Sequence, residues 1–305
     1  MSFPTNGDWL RCQFHAHTTN SDGEPTPTGL AEHYARAGYD VLAITDHHHV
    51  TVEEHRTLVM VPASELTARI DADREADILA LGVADVPEPN GEFPSIAAAA
   101  EWIVARGGLA YLAHPYWSGL TPDDYLGATH LSGIEVFNAA SELHQGNGLS
   151  AVHWDDILTR GGTCLALATD DSHYAGQDSR LGWTMVRAGE RSSAGIVAAL
   201  RDGAFYSTSG PTIASIVPID GGVEVRCSPA RAVTLRSGPW DGSRANADAR
   251  TMSWRARVVE RDAAGAIVAA WLDAPEYADW GRVEVLAADG SCAWSNPFAI
   301  AARPS

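Results

Sequence analysis

Two short stretches of the sequence space metal-binding side chains as a β-strand would. They are FHAHTTNSDG at 14–23 and TDDSH at 169–173. Residues two apart in a strand face the same side, so His15 and His17 project together, and so do Asp171 and His173. Two imidazoles on one side can share an ion; a hydrogen-bonded core pair is the alternative. The arrangement recurs after other apolar runs, with Asp46 and His47 following VLAI, Glu65 following LVMVPAS and His114 following LAYLA. In an α/β barrel the strand ends converge on one face, where catalytic groups collect. All 12 histidines lie at or before His173. A random scatter would do this in roughly one chain in a thousand, so the chemistry belongs to the first part of the chain.

The donor set mixes imidazole nitrogen with carboxylate oxygen and holds no thiolate. Such sets suit Mn²⁺, Fe²⁺ or Zn²⁺ in a hydrolytic cluster of several ions. His47, His48 and His49 are consecutive and cannot all face one ion. His47 is assigned to the cluster; His48 and His49 remain substrate-facing or surface groups.

Several elements must position these residues. Candidate strands are QFHAH (13–17), VLAIT (41–45), LVMVPAS (58–64), DILALGV (77–83), LAYLA (109–113), GIEVF (133–137) and CLALAT (164–169). Helical patterns fall at 27–38, 96–107, 149–161 and 194–203. Apolar strands interleaved with helices predict an α/β layer or barrel with a largely parallel sheet. Beyond about residue 204, seven short runs separated by Gly, Asp, Asn and Pro predict an antiparallel β domain, a sandwich. The expected domains are 1–210 and 211–305. Trp240, Trp254, Trp271, Trp280 and Trp294 fall in the second, as sandwich packing or as an aromatic platform for carbohydrate.

Composition narrows the chemistry. The net charge of −18 argues against long nucleic acids and anionic membranes as partners. All 21 basic residues are arginine, which excludes Schiff-base catalysis, a P-loop lysine and a metal bridge through a modified lysine. Cys12, Cys164, Cys227 and Cys292 form no C-x-x-C pair, a pattern of reduced, buried thiols. No leader-like segment or membrane-length apolar stretch is present, so the expected location is cytoplasmic.

FHAHTTNSDG, AITDHH, the acidic residue of VPASELT, AHP and TDDSH resemble, in order, the motifs of the polymerase and histidinol phosphatase (PHP) superfamily. The resemblance covers about 13–173 and implies a distorted (β/α)7 barrel with two or three divalent metals at the strand ends. It implies one metal on His15, His17, Glu65 and Asp171, with Glu65 bridging to a second on His114. A third would sit on Asp22, His47 and His173. The second metal of the family has a further histidine after a strand like GIEVFN, for which His144 is the candidate, a surface histidine being the alternative. GAFYSTSGP (203–211) and the run at 282–300 are similar to the branch that includes carbaryl hydrolase, in which a β domain follows the barrel.

The resemblance therefore implies a metal-dependent hydrolase that attacks an ester with a metal-bridging hydroxide. The first expectation is a phosphoesterase acting on a small phosphorylated metabolite or nucleotide. A carboxyl or carbamate ester hydrolase is the second, and a non-catalytic metal-binding module the third. Asp46 or His48 would orient ligands or protonate the leaving group. Arg180 would reach a phosphate oxygen or serve in a salt bridge. An oligomer is compatible with these features.

Overall fold

The computed structural model describes residues 7–87, 92–219, 221–238, 240–248, 255–275 and 278–300. Trp254 lies outside them. The chain divides into two compact units that meet in sequence at Ala204 and Phe205. The architecture is mixed α/β and rich in sheet.

The first unit runs in the order β1 (Asp8–Gln13), α1 (Pro27–Arg36), β2 (Val41–Leu42), β3 (Val59–Met60), β4 (Ala63–Arg69), β5 (Glu75–Leu81), α2 (Ile96–Val104) and β6 (Leu109–Leu112). It continues with α3 (Pro122–Tyr125), β7 (Gly133–Asn138), α4 (Ala139–Gln145), α5 (Ala151–Thr159), β8 (Leu165–Thr169), β9 (Trp183–Ala188) and α6 (Ser193–Arg201). Side chains of Thr26, Ser95 and Ser192 cap α1, α2 and α6 by accepting from backbone N–H groups of the first turn. The four helices expected from apolar periodicity are present; α3 and α4 are short additions.

Strands β4-β5-β6-β7-β8 form one sheet, and β9, β1, β2 and β3 pair in that order in another. Their directions correct the expectation of a largely parallel sheet. β1-β2-β3 and β6-β7-β8 are parallel, but β4-β5-β6 and β1-β9 are antiparallel. For β4-β5 the cause lies at 70–74, where Ile70 N–H donates to Arg74 O (2.9 Å) and Arg74 Nε to Asp71 Oδ2 (2.8 Å). This connection between β4 and β5 is too short for a helical crossover, so β5 returns as a hairpin.

The strand boundaries also differ from the sequence reading. β1 stops at Gln13 because its carboxamide replaces ladder partners: Oε1 accepts from Phe14 N (3.0 Å), His15 N (3.2 Å) and Asp170 N (3.1 Å). His15 and His17 thus lie on an extended segment past the strand. LVMVPAS breaks at Val61–Pro62, and Glu65 lies within β4 rather than beyond a strand end. Two isolated parallel bridges, Ala16 with Ser172 and His47 with Glu65, tie the ends of the two sheets together.

The second unit holds β10 (Phe205–Thr208), β11 (Ile213–Ile219), β12 (Gly222–Ala230), β13 (Ala232–Arg236), β14 (Gly242–Asn246), β15 (Ala256–Arg261), β16 (Ile267–Asp273), β17 (Trp280–Leu286), β18 (Cys292–Ser295) and β19 (Phe298–Ala299). β14-β13-β17-β18-β10 are antiparallel neighbours with β19 on β17, and β11-β12-β16-β15 form a second antiparallel sheet. The sequence reading missed β14: GSRAN has no apolar alternation and becomes a strand only as the return arm of a hairpin with β13. No helix among the described residues is long and apolar enough to cross a membrane.

Asp170 anchors the loop that follows β8. Its buried carboxylate accepts from Gln13 Nε2 (2.7 Å), Tyr34 Oη (2.8 Å) and the N–H groups of Arg180 (2.6 Å), Leu181 (2.8 Å) and Gly182 (2.9 Å). Burial pushes this carboxyl up to about 6, against the pull of the backbone donors. Asp170→Ala is expected to lower unfolding free energy by about 3 kcal/mol, because several buried donors lose their acceptor. Urea denaturation measures this, and a loss below about 0.5 kcal/mol, the range of neutral surface changes, would rule out the anchoring role.

Candidate metal centre

His15, His17, Glu65 and Asp171 converge at the junction of the two sheets. His15 Nε2 lies 3.1 Å from His17 Nε2, 3.0 Å from Glu65 Oε2 and 3.2 Å from Asp171 Oδ1. His17 Nε2 lies 3.1 Å from Glu65 Oε2 and 3.2 Å from Asp171 Oδ1. His15, His17 and Glu65 are buried to within 1% of full exclusion. Beside them Glu65 Oε1 faces His114 Nε2 at 3.3 Å without forming a hydrogen bond. On the other side Asp22 Oδ2 stands 3.6 Å from His47 Nε2 and 3.4 Å from His173 Nε2, and Asp22 Oδ1 stands 3.4 Å from His17 Nδ1.

The imidazoles are held in one orientation by their other nitrogens. His15 Nδ1 is 2.7 Å from Glu135 Oε1, a carboxylate that can only accept, so Nδ1 carries the proton and Nε2 faces inward. His173 Nδ1 donates to Asp171 O at 3.0 Å, which turns its Nε2 toward Asp22. His114 Nδ1 is 3.0 Å from Ser118 Oγ. Gly23 allows the loop bearing Asp22 to fold back, since a Cβ there would stand 2.4 Å from the His17 carbonyl.

The backbone is strained at this junction. Among the described residues, His48, His114, Asp171 and Arg180 are the non-glycine positions with positive φ, at 49°, 28°, 55° and 67°. Such conformations cost on the order of 1–3 kcal/mol each and persist where surrounding structure imposes them. At Asp171 the backbone N–H donates to His15 O (2.9 Å), and at His114 to Glu135 Oε2 (2.8 Å).

These residues fit divalent ions. With Nδ1 of His15 protonated, its Nε2 lone pair faces two carboxylate oxygens and a second imidazole nitrogen, an array that needs positive charge at its centre. The donor spacing near 3 Å is that of adjacent ligands bonded at about 2.1 Å to one ion. Three groups satisfy the geometry of a shared ion: His15, His17 and Asp171; His15, Glu65 and His114; and His17, Asp22, His47 and His173. The donors are unequal in number. At the position between Glu65 Oε1 and His114 Nε2 the third donor of the group, His15 Nε2, is shared with Asp171 (3.2 Å), and Asn138 Nδ2 donates to Asp171 Oδ2 at 3.1 Å.

The remaining residues singled out from sequence take different places. Asp46 is buried and accepts from Thr18 N (2.7 Å), Thr18 Oγ1 (2.7 Å), Ser21 Oγ (2.7 Å) and Thr51 Oγ1. It organises the loop carrying Asp22. His48 turns Nε2 to Thr67 Oγ1 at 3.1 Å. His144, exposed on α4, lines the cavity over the cluster but joins none of the three donor groups. Arg180 is exposed and absent from the residues lining that cavity.

Sequence reasoning missed Glu135, Asn138 and Asp77. Glu135 interrupts the apolar run GIEVF, and a charge inside a buried strand was the available signal. Asn138 donates to Glu135 Oε2 (2.9 Å) and Asp171 Oδ2, while its Oδ1 caps α4 through Ser141 N (2.9 Å). It ends the strand GIEVFN, after which His144 was the expected ligand. Asp77 lines the cavity and accepts from Thr67 Oγ1 at 3.0 Å. That cavity, of about 380 Å³, also has Trp117 and Tyr174 in its wall.

No protein-family model and no curated protein matches the chain. Solved structures do. A two-domain protein from Bacteroides vulgatus, described as containing a predicted PHP-like metal-dependent phosphoesterase, is 18% identical. The alignment covers 96% of this chain and 95% of that one, with a TM-score of 0.52. An amidohydrolase from Chromobacterium violaceum, solved with bound sulfate, is 17% identical over 55% of this chain and 89% of its own, with a TM-score of 0.42. A lesion-specific endonuclease from Pyrococcus furiosus is 13% identical over 64% of this chain and 56% of its own, with a TM-score of 0.44. The chain thus shares the fold of that two-domain protein.

The electrostatics carry a pH signature. Burial opposes protonation of His17, but Asp171 and Glu65 outweigh it and push the imidazole up to about 10. His114 is likewise buried, yet Glu65 and Asp171 raise it to about 9. Both folded values exceed the unfolded value of about 6.5, so their stabilisation is complete below that pH and disappears as pH rises through 9–10. Thermal melts of EDTA-treated protein are expected to fall in temperature between pH 6.5 and 10. An unchanged midpoint across this window would contradict the charge pairing.

Proposed function

We propose that the chain is a divalent-metal-dependent hydrolase of the PHP type whose first unit is a distorted (β/α)7 barrel and whose second is a β-sandwich. Its reaction is hydrolysis of a phosphate ester in a small metabolite or nucleotide. The observation that carries this reading is the convergence of His15, His17, Glu65 and Asp171, with the His15 tautomer fixed by Glu135. The bridges at Ala16 and His47 support closure of the barrel by linking the sheet ends. His15, His17, Glu65 and Asp171 would hold one ion, Asp22, His47 and His173 another, and Glu65 with His114 would bind a third position weakly. The four free cysteines favour a reducing, cytoplasmic setting.

Bound divalent ions supply a hydroxide at neutral pH and polarise the ester oxygen. The chain's own residues do the positioning. Glu135 fixes His15, the Asp171 carbonyl fixes His173, and Asp46 sets the loop that presents Asp22. Replacing Glu135 by Gln should weaken metal binding about 10- to 100-fold while the protein stays folded. Competition with a fluorescent chelator measures this, and unchanged affinity would remove Glu135 from the role.

A carboxyl or carbamate ester is the second reading. One observation favours it: among the described residues lining the cavity there is no arginine, whereas Trp117, Tyr174 and Ala140 are present. Manganese-loaded protein offered p-nitrophenyl phosphate and a matched p-nitrophenyl carboxyl ester separates the two. Release from the phosphate, abolished by Glu65→Gln, is expected. Release from the carboxyl ester alone would select the second reading, and full activity of Glu65→Gln would overturn both.

A further inference from the structure

Among the described residues Trp117 and Trp240 are the exposed tryptophans, whereas Trp271 and Trp280 are half-buried and Trp294 is buried. Trp117 is 44% exposed and lines the cavity over the metal donors; Tyr174, 41% exposed, lines the same cavity. A single exposed aromatic on a surface calls for no explanation, but two in the wall of one cavity mark a place that an apolar group can cover. Ala140 and Ser141 also line it, and their small side chains leave room that larger residues at the start of α4 would fill.

Each of the two aromatics is tied to a metal donor. Trp117 follows His114 in the same turn, and the two rings meet edge to face, with centroids 4.9 Å apart and planes at 74°. That turn is closed by Ser118 N donating to His114 O (3.0 Å), Gly119 N to Tyr116 O (3.1 Å) and Leu120 N to Pro115 O (3.0 Å). Tyr174 directly follows His173. Its N–H donates to both carboxylate oxygens of Asp178 at 3.0 Å, and its carbonyl accepts from Gln177 N at 2.8 Å. Aromatic side chains with two rotatable bonds on a fixed backbone lose little freedom when covered. Their π faces favour a ring over an aliphatic group of similar area.

We propose that the ester hydrolysed at this site carries an aromatic ring, held in the cavity against Trp117 and Tyr174 while its ester oxygens reach the metal donors. The inference rests on the reading of the junction as a hydrolytic metal centre and adds the class of organic group that the centre accepts. A cavity of about 380 Å³ accommodates one ring with its ester group. Trp117 and Tyr174 select by ring rather than by charge, so the preference for a ring does not depend on whether the ester is a phosphate or a carboxylate.

The test is calorimetric titration of the manganese-loaded full chain with methylphosphonate, cyclohexylmethylphosphonate and benzylphosphonate, and with cyclohexylacetate and phenylacetate. In at least one head-group series the aromatic compound should bind ~10-fold more tightly than its cyclohexyl counterpart, which has similar apolar area but no π face. Trp117→Leu and Tyr174→Leu should each lower that ratio ~3-fold with manganese affinity unchanged, and Trp117→Phe should keep it. Equal binding of aromatic and cyclohexyl compounds in both series, no saturable binding by either aromatic compound, or a ratio unmoved by both leucine variants would overturn the proposal. Methylphosphonate has no ring and reports the metal centre alone. Its binding without any ring preference would sink this inference and spare the metal centre, whereas a ring preference that persists in EDTA would support the aromatic wall and count against the metal reading.

Discussion

The first unit depends most on the 2.7 Å contact between His15 Nδ1 and Glu135 Oε1. It fixes which nitrogen of His15 is protonated and so turns the free lone pair toward His17, Glu65 and Asp171. Glu135 is fully buried, and its second oxygen accepts from His114 N and Asn138 Nδ2. One carboxylate therefore orients the His15 imidazole, holds the backbone of His114 and positions the amide that restrains Asp171. A buried charge of this kind persists only because each oxygen is bonded. Its pKa follows: burial would raise it, but His15 and His114 hold it below the usual carboxylate range.

Around that contact the chain trades regular structure for placement. β1 ends early because Gln13 takes over the ladder bonds, and the released segment carries both histidines into the junction. Asp171 and His114 occupy left-handed backbone conformations that ordinary side chains avoid. Each is held by a backbone N–H bond to the same cluster, to His15 O for Asp171 and to Glu135 for His114. Local strain is thereby offset by satisfied buried polar groups.

Much of this was legible in the sequence, and the limits have physical causes. The helices at 27–38, 96–107, 149–161 and 194–203 announced themselves by period and, at three of them, by Thr26, Ser95 and Ser192. The donors His15, His17, Glu65, His114, Asp171 and His173 were legible as polar residues adjoining apolar runs, and they come together in space. Their supporting groups were not. Glu135 sits in the middle of a strand pattern, and Asn138 doubles as a helix cap. The hairpin at 70–74 was hidden because strand direction depends on the connection and leaves no mark in strand composition. His144 was a candidate only through the resemblance after GIEVFN, and it lies exposed near the end of α4, as its alternative reading as a surface histidine has it.

The most direct measurement is anomalous X-ray diffraction at the manganese edge from crystals grown with Mn²⁺. Two strong peaks are expected, one among His15, His17, Glu65 and Asp171 and one among Asp22, His47 and His173. A weaker peak or none is expected between Glu65 and His114, where Asn138 leaves the position short of donors. No peak within reach of His15 and His17 would contradict the reading of this junction as a metal centre. A third peak of equal strength beside His114 would contradict the inequality of its donor groups.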